Sequence, residues 1–283
     1  MSGNAMRRAG YRWLRKIRSA LPETEGRQEK TAGARMLRWT REKLVPSSKV
    51  WVQVERGIAQ GLWMRLQLPG ETFLWRGEHE PYVQELLATF LRPGWVAYDI
   101  GSYVGVFALP MARAVGPAGR VFAFEPDPDS ATRLREHVAR NRMEDRVRVV
   151  EAAAWRTEAG QIPYRRGSKA RSQGGVEAEG THPVLASGEK ILVRSISLDA
   201  FVAQGNPAPQ LLKIDVEGGE AAVLAGAEGL ITWDKPLIIC EVHHLAAARW
   251  MQQWLPSCGY HMDWTIPSQG FPRHLVAKPA PND

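Results

Sequence analysis

The chain has 283 residues, enough for one large α/β domain with an appendage, and 44% of them are hydrophobic, too many for a disordered chain. No stretch approaches the roughly 20 apolar residues that a membrane-crossing helix needs, and no apolar run follows the early arginines as a secretory signal would require. The two cysteines, Cys240 and Cys258, form no disulfide framework and have no zinc-like spacing; Cys240, inside LIIC, reads as a small buried residue, and a reducing cytoplasm fits best.

Charge divides the chain. Residues 1–50 hold 13 Lys/Arg and 4 Asp/Glu, a net of +9, which leaves −2 for the rest of the total of +7. We therefore treat residues 1–48 as a basic N-terminal arm and residues 49–283 as the main domain. Tyr11, Leu14, Ile17 and Leu21 fall at helical spacing with basic residues between them. Such a segment is either a helix lying on an anionic membrane surface or a solvated basic tail. Any peripheral membrane contact is expected to come from this arm.

Residues 49–92 read as an N-terminal hairpin and helix. Alternation over 50–75 predicts a strand pair, and Pro81 suits the first turn of a helix running to about Phe90. Strands and helices then alternate. Strand Val96–Ile100 precedes helix Val106–Val115; strand Arg120–Phe124 precedes helix Asp129–Arg142; strand Val147–Val150 comes next. Residues 163–190, rich in Gly, Ser, Arg and Glu, form a long variable loop. Leu192–Ser195, strand Leu211–Val216, helix Glu220–Leu230 and strand Leu237–Val242 continue the alternation. Helix Ala246–Leu255 and strands Tyr260–Trp264 and His274–Ala277 close the chain. This order predicts a doubly wound, mostly parallel sheet with an antiparallel C-terminal edge.

The strongest local signal is AYDIGSYVGVF, residues 97–107. A buried strand ends at Asp99, and Gly101 and Gly105 bracket a tight turn into a helix whose free N–H groups face the turn. In VFAFEPD, Glu125 ends the next strand, 20 residues past Gly105. An acid there can accept hydrogen bonds from both hydroxyls of a ribose, so the two features together predict a nucleoside ligand. They do not separate NAD from S-adenosylmethionine (SAM). The dinucleotide spacing G-x-G-x-x-G is absent, which disfavours an NAD-dependent oxidoreductase. The amine of SAM wants a nearby carboxylate, and Asp99 can serve directly or through water.

At LLKIDVEGGEAAVLAGA, residues 211–227, the sequence resembles the FkbM family of class I, Rossmann-like, SAM-dependent methyltransferases. Lys213, Ile214, Asp215, Val216, Glu217, Gly218 and Glu220 match that family's K-I-D-V-E-G-x-E run. RGEHEPYV, DIGSYVG, FEPD, Asn141, AWRTEAG, VRSISLDAF and IICEVHH agree in order, and the resemblance covers about residues 50–278. In the glycine turn the family usually has Ala-Asn where this chain has Ser102 and Tyr103. The resemblance implies O-methylation of hydroxyls on sugars, glycans or natural products. It implies a cofactor site made by Asp99, Gly101, Glu125 and the Ala152–Ala153 region, with Glu217 facing the substrate. Ser102, Tyr103 and Gly105 of the turn, Pro126 after Glu125, and Asp215 complete the candidate cofactor set.

Asp215, Glu217, Glu241 and His243 stand at or just after strand ends, where ligands sit in an open α/β sheet. Methyl transfer from an activated donor asks the protein to align the acceptor oxygen and remove its proton. His243 is the expected base because its ordinary pKa lies near neutrality, though alternation lets only one of His243 and His244 face the cleft. Asp215, Glu217 and Glu241 are the other candidate catalytic groups. Asp215 and Glu241 also suit Mg2+, but hydrogen bonding to cofactor and substrate is the preferred reading, so no metal site is assigned. Lys213 is expected to pair with one of these acids. Two rival functions remain from the residues alone. One is a nucleic-acid methyltransferase using the basic arm, disfavoured because DVEG stands where an amino-methylating motif should follow the fourth strand. The other is a non-catalytic SAM-fold module tethered through the arm.

Overall fold

The computed structural model describes residues 48–157, 160–167, 174–176, 188–265 and 270–281. The expectations for the basic arm and for most of the 163–190 loop lie outside the described residues.

Ser48–Gln53 (β1) and Trp63–Leu68 (β2) form the expected antiparallel hairpin, with Val50 opposite Leu66 and Val52 opposite Met64. A short helix not foreseen, Thr72–Arg76 (α1), follows, then Pro81–Phe90 (α2) with proline in its first turn. Val96–Ile100 (β3), Ala108–Val115 (α3), Arg120–Phe124 (β4), Pro128–Arg140 (α4) and Val147–Val150 (β5) come as predicted, within two residues at each end. Asp127 starts α4 by accepting the N–H groups of Asp129 and Ser130.

The hairpin is fastened to α4 by side chains rather than by another strand. On the free edge of β2, Asn141 accepts the Trp63 N–H and donates to the Trp63 carbonyl, both at 2.8 Å. His137 Nε2 accepts the Arg65 N–H at 2.8 Å, and Arg133 Nη2 donates to the Arg65 carbonyl at 2.8 Å. Arg133, His137 and Asn141 are four apart along α4 and its C-cap. Four helical residues rise about 6 Å, close to the roughly 6.7 Å between alternate strand residues, so one helix face can satisfy one strand edge.

Among the described residues, Ala153–Ala154 (β6), Gln161–Arg165 (β7), Gly175–Val176 (β8) and Lys190–Ile196 (β9) form a four-stranded side sheet in the order β6-β9-β7-β8. This corrects two expectations. The segment at 192–195 does not join the central sheet, and the 163–190 loop contributes strand residues to the side sheet.

Leu198–Ala203 (α5), Leu211–Ile214 (β10), Glu220–Ala225 (α6), Glu228–Trp233 (α7), Leu237–Val242 (β11), Leu245–Ser257 (α8), Tyr260–Thr265 (β12) and Arg273–Pro279 (β13) complete the chain. The single helix expected over 220–230 is two. Asp199 accepts the N–H groups of Gly229 and Leu230 at 2.8 and 2.9 Å, and these capping bonds begin a new helix there.

Among the described residues the central sheet has seven strands in the order β12-β13-β11-β10-β3-β4-β5. β5, β4, β3, β10 and β11 are parallel, while β13 and β12 form the antiparallel edge. The core under β3, β4 and β10 holds Tyr98, Phe122, Phe124 and Phe201 in edge-on and tilted ring contacts 5.0–5.6 Å apart. Cys240 is buried and both cysteines are free. Among the described residues no helix is long and apolar enough to cross a membrane.

Candidate active site

The strand order reverses between β3 and β10, the place where doubly wound sheets bind ligands. A cleft of about 950 Å3 opens there, and it is lined by the ends of β3, β4, β10 and β11.

One side of the cleft is the glycine turn. Gly101 has φ +83°, and a Cβ there would overlap the Asp215 carbonyl oxygen, so only glycine lets β3 and β10 approach so closely. A Cβ on Gly105 would strike Leu134 of α4. Gly105 therefore seats the helix and does not line the cleft. Gly101, Ser102, Tyr103, Glu125, Pro126, Ala152, Ala153 and Asp215 all line it.

Glu125 is almost fully buried. Its Oε2 accepts the Tyr103 N–H at 2.7 Å and its Oε1 the Asp127 N–H at 2.8 Å. Burial, helped by the charge of Asp127, pushes its pKa up to about 8 against the pull of those two bonds. Asp99 is fully buried beneath the cleft rather than in its wall. Burial raises its carboxyl pKa even with Lys213 Nζ 3.7 Å away. Lys213 also reaches Asp215 Oδ2 at 3.4 Å, so it pairs with two acids and presents its ammonium to the cleft. Burial opposes that charge, but Asp215 and Asp99 outweigh it and hold the ammonium pKa above its usual value.

The other side gathers Asp215, Glu217, Glu241 and His243. His243 Nδ1 is 2.6 Å from Glu220 Oε1, and its Nε2 is 3.3 Å from Glu217 Oε2 and 3.9 Å from Asp215 Oδ1. Burial alone would lower the imidazole pKa, but the Glu220 bond and the nearby carboxylates push it up to about 10. Glu217, in the left-handed conformation at φ +54°, is pushed up to about 7 by burial and by Asp215. Glu241 is pushed up to about 9, mainly by burial. His244 does not line the cleft; it caps α8 through the Ala247 N–H. Asp215, Glu241 and His243 carry ligating atoms within 4.8 Å of one another, as do Glu80, Glu241 and His274.

Residues that sequence reasoning missed also line the cleft. Glu80 stands at φ +41° with His79 Nε2 2.9 Å away, and Glu71 and Arg133 brace Tyr103. Glu80 lies in RGEHEPYV, so that motif was its only signal. Tyr164 and Arg166 come from the side sheet and the residue after β7; Arg166 pairs with Asp127 at 2.6 Å and Asp129 at 2.9 Å.

A doubly wound sheet with this strand order, a glycine turn after its first strand and an acid after its second is the class I methyltransferase arrangement. A family described as "Methyltransferase FkbM domain" matches residues 99–262, and the chain belongs to the FkbM methyltransferase family. Methylation in this family depends on SAM. The 31-O-demethyl-FK506 methyltransferase FkbM of Streptomyces tacrolimicus is 33% identical over 184 residues, covering 56% of this chain and 69% of the relative. Hexuronic acid methyltransferase AglP of Haloferax volcanii is 31% identical over 175 residues, covering 59% of this chain and 63% of that protein. The crystal structure of methyltransferase FkbM from Methylobacillus flagellatus KT is 17% identical with a TM-score of 0.44, covering 75% of this chain and 55% of that one.

Proposed function

We propose that the chain methylates a hydroxyl group on a sugar, glycan or natural product, with SAM as donor. One observation carries this reading. The buried Glu125 carboxyl and the His243–Glu217 cluster line the same cleft from opposite sides of the strand-order reversal. The names of the two relatives, one a 31-O-demethyl-FK506 methyltransferase and one a hexuronic acid methyltransferase, support a hydroxylated acceptor.

The residues present fit SAM. Gly101 lets the turn after β3 close against the Asp215 backbone at the cleft, and Glu125 presents a buried carboxyl already oriented by two backbone N–H groups. When bound, SAM supplies a methyl group activated by its sulfonium. Gly101, Ser102, Tyr103, Glu125, Pro126, Ala152 and Ala153 would hold it. Asp99 would act from below, through Lys213, and Gly105 by seating α3 against α4.

The protein's remaining task is to orient the acceptor oxygen and take its proton. An imidazole ringed by Glu220, Glu217 and Asp215 rests protonated, so His243 by itself makes a poor base. Glu217 is the better proton acceptor, because it faces His243 Nε2 and its raised pKa lies near neutrality. We assign the role to the pair. Glu217 takes the proton, and His243, anchored by Glu220, holds the carboxylate in place and stabilises its charge beforehand. Asp215 and Glu241 shape the acceptor end. Lys213 already gives Asp215 a cation, which argues against a requirement for Mg2+.

Thermal shift with S-adenosylhomocysteine (SAH) against NAD+, followed by labelled-methyl transfer to hydroxylated sugar and polyketide acceptors with and without EDTA, tests this. Stabilisation by NAD+ alone sinks the cofactor assignment. SAH binding without transfer to any acceptor favours the non-catalytic module. Loss of transfer in EDTA restores the metal.

A further inference from the structure

Tyr103 sits in the glycine turn with φ +49°. A bulky residue rarely adopts this left-handed backbone, and it persists only where surrounding contacts over-determine it. The backbone N–H that this conformation aims is the one donated to Glu125 Oε2 at 2.7 Å.

The far end of the same side chain is clamped. The Tyr103 hydroxyl donates to Glu71 Oε1. Arg133 forks onto both oxygens of that carboxylate, at 3.0 and 2.7 Å, and its guanidinium lies 5.8 Å from the Tyr103 ring centre. Glu71 Oε2 also accepts the Gln67 N–H at 2.6 Å, and Arg133 donates to the Arg65 carbonyl. The Glu71–Arg133 pair is nearly buried, with 12% and 9% of the side chains exposed, so water competes little for it. Glu71 comes from the hairpin unit and Arg133 from α4. Together they tie the hairpin to the turn that presents Tyr103.

We propose that Glu71 and Arg133 are positioning residues, which hold Tyr103 in its left-handed conformation so that its N–H keeps Glu125 oriented for the cofactor. This rests on the reading of the cleft as the SAM site. The brace makes the N-terminal hairpin part of cofactor binding although it lies outside the central sheet. It is needed because tyrosine occupies a position whose backbone suits Asn or Gly better.

Asparagine enters the left-handed region without an anchor, so Tyr103→Asn should make the brace dispensable. By isothermal titration, Glu71→Gln is expected to weaken SAH binding about tenfold in the natural background but less than about twofold in the Tyr103→Asn background. Tyr103→Phe, which removes only the anchoring oxygen, should weaken SAH comparably and serves if Glu71→Gln fails to fold. Equal losses in both backgrounds, or no loss in either, would overturn the proposal. If the natural protein does not bind SAH, the cofactor reading fails and amide hydrogen exchange decides the brace. Exchange at residue 103 about tenfold faster in Glu71→Gln supports it, and unchanged exchange overturns it.

Discussion

The Nδ1 of His243 lies 2.6 Å from Oε1 of Glu220, a carboxylate that solvent does not reach. That bond fixes the ring so that Nε2 meets Glu217 Oε2 at 3.3 Å, and it helps keep the imidazole charged. The sequence alone favours His243 as the base. In the proposed mechanism Glu217 takes the proton and His243 is its cationic partner.

Glu217→Gln is therefore expected to lower kcat by about 10²- to 10⁴-fold while SAH affinity stays within a fewfold of the natural protein. His243→Ala should lower kcat over the same range. Because burial and Asp215 push Glu217 up to about 7, kcat should rise with pH through about 7 and then level. A flat profile between pH 6 and 9, or unchanged turnover in Glu217→Gln, places the base elsewhere.

Glu125 gives cofactor binding its own pH dependence. In the free protein, burial favours its protonated form up to about pH 8. Ribose hydroxyls donate to the ionised form, so binding should release a proton. SAH affinity should rise with pH toward a plateau above about 8, and Glu125→Gln should bind more weakly with no such slope. Calorimetry in buffers of different ionisation enthalpy measures the proton directly; no proton release at pH 7 would count against the ribose role.

His137 is a stability element that titrates. Its Nε2 accepts the Arg65 N–H, so Nδ1 carries the proton and donates to the Val104 carbonyl at 2.8 Å. Burial lowers its pKa to about 4. The unfolded chain, with histidine near 6.5, binds the proton first as pH falls. The stabilisation is thus complete above pH 6.5 and is lost between about 6.5 and 4. His137→Gln should cost about 1–3 kcal/mol at pH 7.5, and the gap in Tm to the natural protein should shrink toward pH 4. A constant gap would mean that His137 is not neutral in the fold.

The basic arm should act by charge alone. β1 begins at Ser48, so removing residues 1–47 deletes most of the +9 charge without touching the hairpin. SAH affinity should be unchanged. Association with vesicles rich in anionic lipid should fall, and 0.5 M salt should abolish it in the full chain, since the screening length is then only about 4 Å. Vesicle binding that survives both treatments would remove the arm from consideration.

The motifs were legible because each is local. DIGSYVG encodes a strand end and a tight turn within seven residues, FEPD an acid at the next strand end, and KIDVEGGE the corresponding stretch after β10. Apolar runs separated by amphipathic helices were enough to predict the parallel sheet and its antiparallel edge. The side sheet was not legible, because β7 and β9 pair across a polar stretch whose composition resembles a loop. The break between α6 and α7 depends on Asp199, about 30 residues earlier.

What the sequence by itself determined is the fold class, the family and the set of strand-end acids, since periodicity, glycine turns and motif order are properties of neighbouring residues. Only the tertiary structure decided where those acids sit and which charges surround them. Asp99 went beneath the cleft, Lys213 was shared between two carboxylates, and Glu71 met Arg133 across 62 residues to hold Tyr103. A carboxylate's role depends on burial and on the charges within a few ångströms, and neither is set until distant segments pack together.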